Sequence, residues 1–531
     1  MNLWNMSNLC FKVGAMFKFL FFAFAILFAR PVFAQAVVKK DMRGVLQSVL
    51  NSGMDLALEP NTVYELDGEL NFKKENQKIY TKGAKNPLEY AVLRLVSDTQ
   101  SRLLNGLGAK GVSIKNIVFD GAKYSEGRKV GIRESLVQMG GRGGDNQTVQ
   151  NCVFLNSRGW SMLHVFEPAE NIGIFDNFFF SSGADCRGSG AHVGESLPVW
   201  GDGISLASKN SKVSGNIIID PTDVGIVVFC ASGSLVEKNA VAAVSREALG
   251  GINMVDAVKH YLISGKKYDY RGVCVRENFV EALGARVHIA YPIGKHIWGP
   301  GKNAGKSGIV LVGGEVSENE MSGKCMGYGI AVSGAEDFIV KGNLSTAKYS
   351  RIGDGLRYKL PDEPCAFIYD FETVKNCELQ PEFKKSVSHI IHLLACNFGK
   401  RREDSGGFRM YGYGGFEAEG AIETAYLEML CRKPASSELE YWNAKINEEK
   451  LSADAIRLEL LKSAEFKRLF GDVKPCDLHC FRAKVWFDSY SEMSSKKEWA
   501  LMGAKDRMNM LWLAVSGRAN GAKKSAQKRA P

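Results

Sequence analysis

A short phrase returns through the middle of the chain. It reads Gly203-Ile-Ser-Leu, Gly225-Ile-Val-Val, Gly251-Ile-Asn-Met, His288-Ile-Ala-Tyr, Gly308-Ile-Val-Leu and Gly329-Ile-Ala-Val. The steps are 22, 26, 37, 20 and 21 residues. A period of about 20–25 residues built on short alternating strands is the mark of a solenoid, in which each unit buries its apolar face only by stacking on the next. A chain of 531 residues would otherwise suggest two or three domains, at roughly 150 residues each. A solenoid relaxes that expectation, because one elongated core grows rung by rung.

A second phrase alternates with the first. An apolar residue is followed by asparagine and then another apolar run, at Asn116, Asn151, Asn177, Asn216, Asn239, Asn278, Asn319 and Asn343. Asparagine suits a tight corner, since its amide bonds nearby backbone and it tolerates the left-handed region. Stacked corners would let each amide bond the next. Two alternating phrases are two faces of each coil, so residues 37–345 are expected to form a parallel β-helix of roughly ten coils. An amphipathic helix from Met42 to Ser52 would cap the open first rung. Alternation places Ile204, Leu206, Ile226, Val228, Ile252, Met254, Ile309, Leu311, Ile330 and Val332 inside. It places Gly203, Gly225, Gly251, Gly308 and Gly329 outside, beside Ser205, Val227, Asn253, Val310 and Ala331. Such a glycine row is either a flat floor where another chain approaches the backbone, or a device that eases the turn into each strand.

The N-terminus carries Lys12 and Lys18, an uninterrupted apolar run of 11 residues from Phe19 to Ala29, and small-x-small sites at Val32-Phe-Ala34 and Ala34-Gln-Ala36. Residues 1–34 are therefore expected to be a signal peptide. The run is shorter than the about 20 residues a membrane span needs. Its removal takes away Lys12, Lys18 and Arg30 and no acids, so the net charge falls from +10 to +7. That mild basicity fits an anionic polymer or an envelope surface. No basic helix or aromatic-plus-basic strand motif marks a nucleic-acid binder. Eleven of the 12 cysteines follow the signal, and they show no disulfide framework. Cys152, Cys230 and Cys325 fall in strand-like runs and read as buried small hydrophobes. Cys476 and Cys480, with His479 between them, read as a local bridge or half of a metal site. Residues 346–420 read as a capping and linker region, 421–515 as an α-helical domain and 516–531 as a basic tail.

Rung spacing and asparagine corners make residues 37–345 resemble the right-handed parallel β-helix superfamily (the pectate-lyase-like fold). That superfamily holds pectate lyases, polygalacturonases, alginate epimerases and phage tailspikes. The resemblance implies a right-handed, single-stranded β-helix and a polysaccharide partner. Residues 421–470 resemble a small helical domain of unknown function found in exported and surface-layer-associated bacterial proteins, through Tyr426, Leu430, Arg432, Pro434, Tyr441, Trp442, Ser463, Glu465 and Phe466. That implies a place outside the cytoplasm, with the cell envelope as a partner. Asp220-Pro-Thr-Asp223 resembles the Asp-Pro-His-Asp motif of alginate C5-epimerases, whose histidine is a catalytic acid/base. Thr222 stands in its place here and does not titrate near neutral pH.

Asp202 and Asp223 each come just before a strand, on consecutive rungs expected to stack about 4.8 Å apart. Two carboxylates so placed share a proton or hold a cation such as Ca²⁺. Asp220, Asp256, Asp185 and Glu195 lie within reach by rung count. Arg246, Arg286, His288 and His164 supply positive or titrating groups. Hydrolysis of a glycoside needs paired carboxylates, whereas elimination from a uronate needs a base and a neutralising cation. Trp200 and Trp298 are candidate sugar-stacking platforms. Asn253, Lys259 and His260 are candidate substrate contacts, the last two in one of three long insertions at 183–201, 256–272 and 292–307. Each acid also has a plainer reading as a turn residue. The expected function is a secreted lyase or glycoside hydrolase acting on a cell-surface or extracellular, neutral or acidic glycan. The alternatives are a non-catalytic glycan-binding rod and an epimerase-like enzyme.

Overall fold

A computed structural model describes residues 37–97, 99–123, 134–183, 201–297, 308–349, 363–386, 418–449, 453–471, 473 and 478–517. The expected signal peptide lies outside them, as do the basic tail from residue 518 onward, Trp200, Trp298, Asp185, Glu195 and Cys476 and the side chains of His479 and Cys480; residues 516–517 belong to a helix. Within the described residues the chain is a right-handed parallel β-helix. Three parallel sheets have 11 strands each, and a fourth, mixed sheet has five. One coil contributes Asp202–Leu206 to the first sheet, Lys212–Ser214 to the second and Ile217–Ile219 to the third. The next contributes Val224–Phe229, Leu235–Glu237 and Ala240–Ala243. Helix α1 (Arg43–Asn51) lays Leu46 and Leu50 over the first coil. No helix among the described residues is long and apolar enough to cross a membrane.

The corner between the second and third sheets carries the asparagine ladder. Asn177 Nδ2 donates to Asn216 Oδ1 (2.9 Å), Asn216 to Asn239 (2.9 Å), Asn239 to Asn278 (3.0 Å), Asn278 to Asn319 (3.0 Å) and Asn319 to Asn343 (2.9 Å). Every buried amide also reaches a strand carbonyl, as Asn216 does to Ile174 (3.0 Å). The ladder is six residues, not the expected eight. Asn116 and Asn151 sit one position earlier, where the backbone turns left-handed (φ 58° and 52°), in the column of Asp176, Gly215 and Lys238. Cys152 holds the ladder position in its coil, and its N–H donates to Asn177 Oδ1 (2.8 Å). Cys152, Cys230 and Cys325 are buried, as expected.

The first sheet departs from simple alternation. Ile204, Leu206, Ile226, Val228, Ile252, Met254, Ile330 and Val332 do face the core. The glycines before them face inward too. A Cβ at Gly203 would lie 2.8 Å from the Ile218 side chain, and one at Gly225 2.5 Å from Val241. At Gly251 the neighbour is Val280 at 2.7 Å, and at Gly329 it is Met321 at 2.8 Å. All four neighbours are core residues of the third sheet. Two successive residues near the start of these strands therefore face inward, because the chain enters them at a corner where the third sheet is close. Other coils carry larger inward pairs at these positions: Met162 with Leu163, and Ala290 with Tyr291. The outward glycine floor is thus corrected; the glycines relieve crowding within.

Two copies of the phrase also move. Strand register pairs Tyr291 with Ile330, so Ala290-Tyr291, not His288-Ile289, is the counterpart of Gly-Ile. The strand Val310–Val312 that follows Gly308 belongs to the fourth sheet, paired with Lys267–Asp269.

Helices α2 (Ala418–Met429), α3 (Ser436–Glu449), α4 (Ala453–Lys462) and α5 (Ala464–Phe470) pack around Tyr426, Met429, Trp442, Leu460 and Phe466. Arg432 bonds Glu438 and Glu465 at 2.7 Å each, Trp442 Nε1 donates to Tyr426 (3.0 Å), and Ser463 caps α5. Two further helices, α6 (Leu478–Ser494) and α7 (Ala504–Gly517), lie on the outer face of the third sheet. Trp486, Tyr490, Met508 and Leu511 pack there against Phe178, Phe180, Ile217, Ile219 and Ala242. Both faces of the third sheet are therefore apolar and buried, which is why its strands read Phe-Phe-Phe and Ile-Ile-Ile rather than alternating.

An inward glycine predicts a stability effect that an exposed one would not. Gly225→Ala is expected to cost about 1–3 kcal/mol by overpacking. Gly503, with nothing within 4 Å of an added Cβ, is the control. Thermal melting of both alanine variants checks this, and a Gly225→Ala protein that melts with the wild type would return the glycine row to the outer face.

Candidate active site

Two successive inward residues leave a defined outward pair on either side, at positions i and i+3. Asp202 and Ser205 form one such pair, with Ser205 Oγ donating to Asp202 Oδ2 at 2.8 Å and lying 2.9 Å from Ser161 Oγ. Gly250 and Asn253 form another; a Cβ at Gly250 would fall on the Asn253 amide. Asp202 is only 4% exposed. The Val224 N–H lies against its carboxyl group. Its Oδ1 has no partner among the described residues.

Asp223 stands one rung on and one residue earlier. Its N–H donates to Gly201 O (3.2 Å), and its carbonyl accepts from the N–H groups of Leu249 (2.8 Å) and Gly250 (3.1 Å). The backbone is thus held from both neighbouring rungs, while the side chain is half-buried. Thr222 is a structural tie: its Oγ1 accepts from Gly201 N (3.0 Å) and donates to Ser182 O (3.0 Å). Burial raises the Asp202 carboxyl well above the usual range, and the Asp223 charge raises it further. Burial pushes Asp223 up to about 7. Near neutral pH, Asp202 therefore keeps its proton while Asp223 is poised to give one up.

His288 lies in the same column as Asp223, two rungs on, with Leu249 between them. Its Nε2 is 3.6 Å from Glu247 Oε2, and both side chains are buried. Glu247 was not singled out in the sequence, although, like Asp223, it is an acid just before a first-sheet strand. Arg286 is buried in the corresponding turn, and its carbonyl accepts from Ala248 N (2.9 Å).

Other expected site residues are placed elsewhere. Asp220 and Arg246 lie beneath the surface, not on it. Asp220 is fully buried and accepts from Val244 N (2.7 Å), Ser245 N (2.9 Å), Ser245 Oγ (2.6 Å) and Arg482 (2.9 Å). Against the cost of burial, the Arg482 charge and these bonds hold its carboxyl down at about 2. Arg246 braces the turn at Ser181 Oγ (2.7 Å), Ser182 O (3.0 Å) and Gly183 O (3.0 Å). Asp256 is further along its strand, opposite Phe229, and pairs with Lys295 (3.0 Å), but its charge still reaches the pair and raises both Asp202 and Asp223. Lys259 and His260 stand beyond that strand, and the exposed His260 is 3.3 Å from Glu167. Asn253 faces outward, with its Oδ1 unpartnered among the described residues.

His164 also faces outward, but burial lowers its pKa to about 3, leaving a neutral ring. It stacks on Phe166 (3.8 Å between centroids), with Trp160 (4.8 Å) and Phe229 (6.1 Å) alongside. This aromatic group borders Asp202. It was hidden in the sequence because Phe229 joins the group only through the stacking of coils. Among the described residues no three His, Cys, Asp or Glu side chains converge as a metal site.

A family model described as a domain of unknown function (DUF4214) matches residues 407–470. No curated protein sequence matches the chain. Among solved structures the chain is similar to an alginate lyase from Paenibacillus sp. str. FPU-7, at 13% identity over 64% of this chain and 99% of that one, with a TM-score of 0.37. It is similar to the tailspike of E. coli bacteriophage HK620, solved with a pentasaccharide, at 11% identity over 65% and 58% of the two chains and a TM-score of 0.42. It is also similar to an endo-xylogalacturonan hydrolase from Aspergillus tubingensis, at 12% identity over 64% and 90% and a TM-score of 0.36.

A carboxyl group whose folded pKa is raised binds its proton more tightly folded than unfolded. Stability is then full below the ordinary carboxylate range and is lost as pH rises toward 7 and beyond. Asp202→Asn and Asp223→Asn are therefore expected to melt higher than wild type at pH 8, with the gap closing at pH 4. Melting curves at the two pH values check this; variants less stable than wild type at pH 8 would mean that the two acids brace the fold.

Proposed function

We propose that the protein is an exported glycoside hydrolase whose acid and base are Asp202 and Asp223. The observation that carries the reading is the pair itself: two carboxyl groups on adjoining rungs, one kept protonated by burial and its neighbour's charge, the other poised near neutrality. Environments that push two acids apart in this way define an acid and a base. Asp202 gives its proton to the glycosidic oxygen as the C–O bond breaks. Asp223 takes a proton from the water that adds to the anomeric carbon. Ser205 holds Asp202 in place, and the Asn253 amide oxygen, unpartnered among the described residues, is the acceptor for a sugar hydroxyl. The His164–Phe166–Phe229 aromatic group offers apolar surface to a sugar ring.

Elimination or epimerisation fits less well. Either needs a cation directed at a uronate, and Arg246 is committed to the turn at Ser181–Gly183. The epimerase-like histidine position is filled by Thr222, which is tied to backbone. A cell-surface or extracellular glycan is the proposed substrate. Residues 1–34 act as the export signal and the 421–515 helical region keeps the enzyme near the envelope.

Asp202→Asn and Asp223→Asn are each expected to lower kcat by about 10²–10⁴-fold on a cleaved glycan, with KM little changed. The wild-type kcat/KM should rise with pH through about 7, where Asp223 loses its proton. Full activity in either variant would remove that residue from the chemistry. Retention of wild-type protein on a glycan gel without turnover of any glycan would favour the binding rod.

A further inference from the structure

We propose that Arg482, on helix α6, is a positioning residue for the turn that carries Asp223, which makes the C-terminal helical region a working part of the active site. The inference rests on the reading of Asp202 and Asp223 as acid and base. It assigns to the helices a role beyond location.

Four buried charges run in a line from the β-helix into the helical region. Asp220 Oδ2 is 2.9 Å from Arg482, Arg482 is 2.9 Å from Glu428 Oε1, and Glu428 Oε2 is 2.6 Å from Arg457. All four side chains are at most 1% exposed. Trp486 Nε1 donates to Glu428 (2.7 Å), and the Arg482 guanidinium lies over the Phe180 ring at 5.6 Å. Two acids and two arginines leave no net charge. Buried ion pairs of this kind often add little net stability over apolar packing. What this one fixes is geometry.

Asp220 holds two turns at once. It begins the segment Asp220-Pro-Thr-Asp223, with a left-handed backbone at φ 53°. Its carboxylate also gathers Val244 N, Ser245 N and Ser245 Oγ in the next coil's turn, which leads to Glu247 and Leu249. Leu249 N in turn bonds Asp223 O. Pro221 is stiff and Thr222 is tied at both ends of its hydroxyl, so little slack separates Asp220 from Asp223. Loss of Arg482 would leave an uncompensated anion three residues from Asp223, raising its pKa and loosening both turns.

The test compares Arg482→Met with Arg457→Met in the full-length protein. Each variant removes one cation from Glu428, but only Arg482 touches Asp220. By hydrogen exchange read by mass spectrometry, Arg482→Met is expected to lose protection across residues 218–226 and 243–250, while Arg457→Met keeps it. Arg482→Met should also lower kcat/KM at least tenfold below Arg457→Met and move the acidic limb of the pH profile upward. Adding Asp220→Asn should return that limb toward its wild-type position. Where Arg482→Met does not accumulate as folded protein, Arg482→Lys is read in the same way. Equal protection of the two segments in both single variants would overturn the proposal. Exchange needs no substrate, so lost protection in a protein that cleaves no glycan would keep the positioning role and reject the hydrolase reading instead.

Discussion

At the corner where each coil leaves the third sheet and enters the first, the chain must pass within contact distance of the third sheet's central side chains. Ile218, Val241, Val280 and Met321 occupy that space, and a Cβ opposite them would approach to 2.5–2.8 Å. Glycine meets this constraint in four coils. Two successive inward residues follow, and from them the outward placement of Asp202 and Ser205 on one rung and Asn253 on another. Had the strands alternated simply from their first residue, Asp202 would point into the core with Ile204. The candidate chemistry therefore depends on a packing constraint on the opposite side of the backbone.

The same third sheet sets the relation between β-helix and helices. Its outer face is as apolar as its inner one, and α6 and α7 cover it with Trp486, Tyr490, Met508 and Leu511. That contact sets Arg482 against Asp220. The motif residues of the helical region act mainly within it: Arg432 ties Glu438 to Glu465, and Trp442 bonds Tyr426. Its connection to the proposed site runs through Glu428 and Arg482, which lie outside that motif.

Much of the fold was legible because its signals are periodic. The Gly-Ile and asparagine phrases yielded the coil, its inward Ile/Val/Leu stack and most of the amide ladder. What escaped was set by tertiary proximity. No local pattern says that a glycine's missing Cβ faces inward, so the row was read on the wrong face, and the frame at His288 slipped by two residues with it. The runs Phe178-Phe179-Phe180 and Ile217-Ile218-Ile219 did carry a readable sign of burial on both faces. At the site, position before a strand was enough to select Asp202 and Asp223. It was not enough to separate them from Asp220, whose partner Arg482 lies 262 residues away. Trp160, Phe166 and Phe229 were missed because they come together only in the folded sheet.

We propose that Asp202 and Asp223 hydrolyse a glycosidic bond. The most direct measurement is the chemistry of the cleaved end, after incubating the protein with a panel of neutral and uronic-acid glycans in ¹⁸O-labelled water. Hydrolysis gives new reducing ends that carry the heavy oxygen, with no ultraviolet absorbance from an unsaturated uronate. Products that absorb in the ultraviolet and carry no label would show elimination and contradict it.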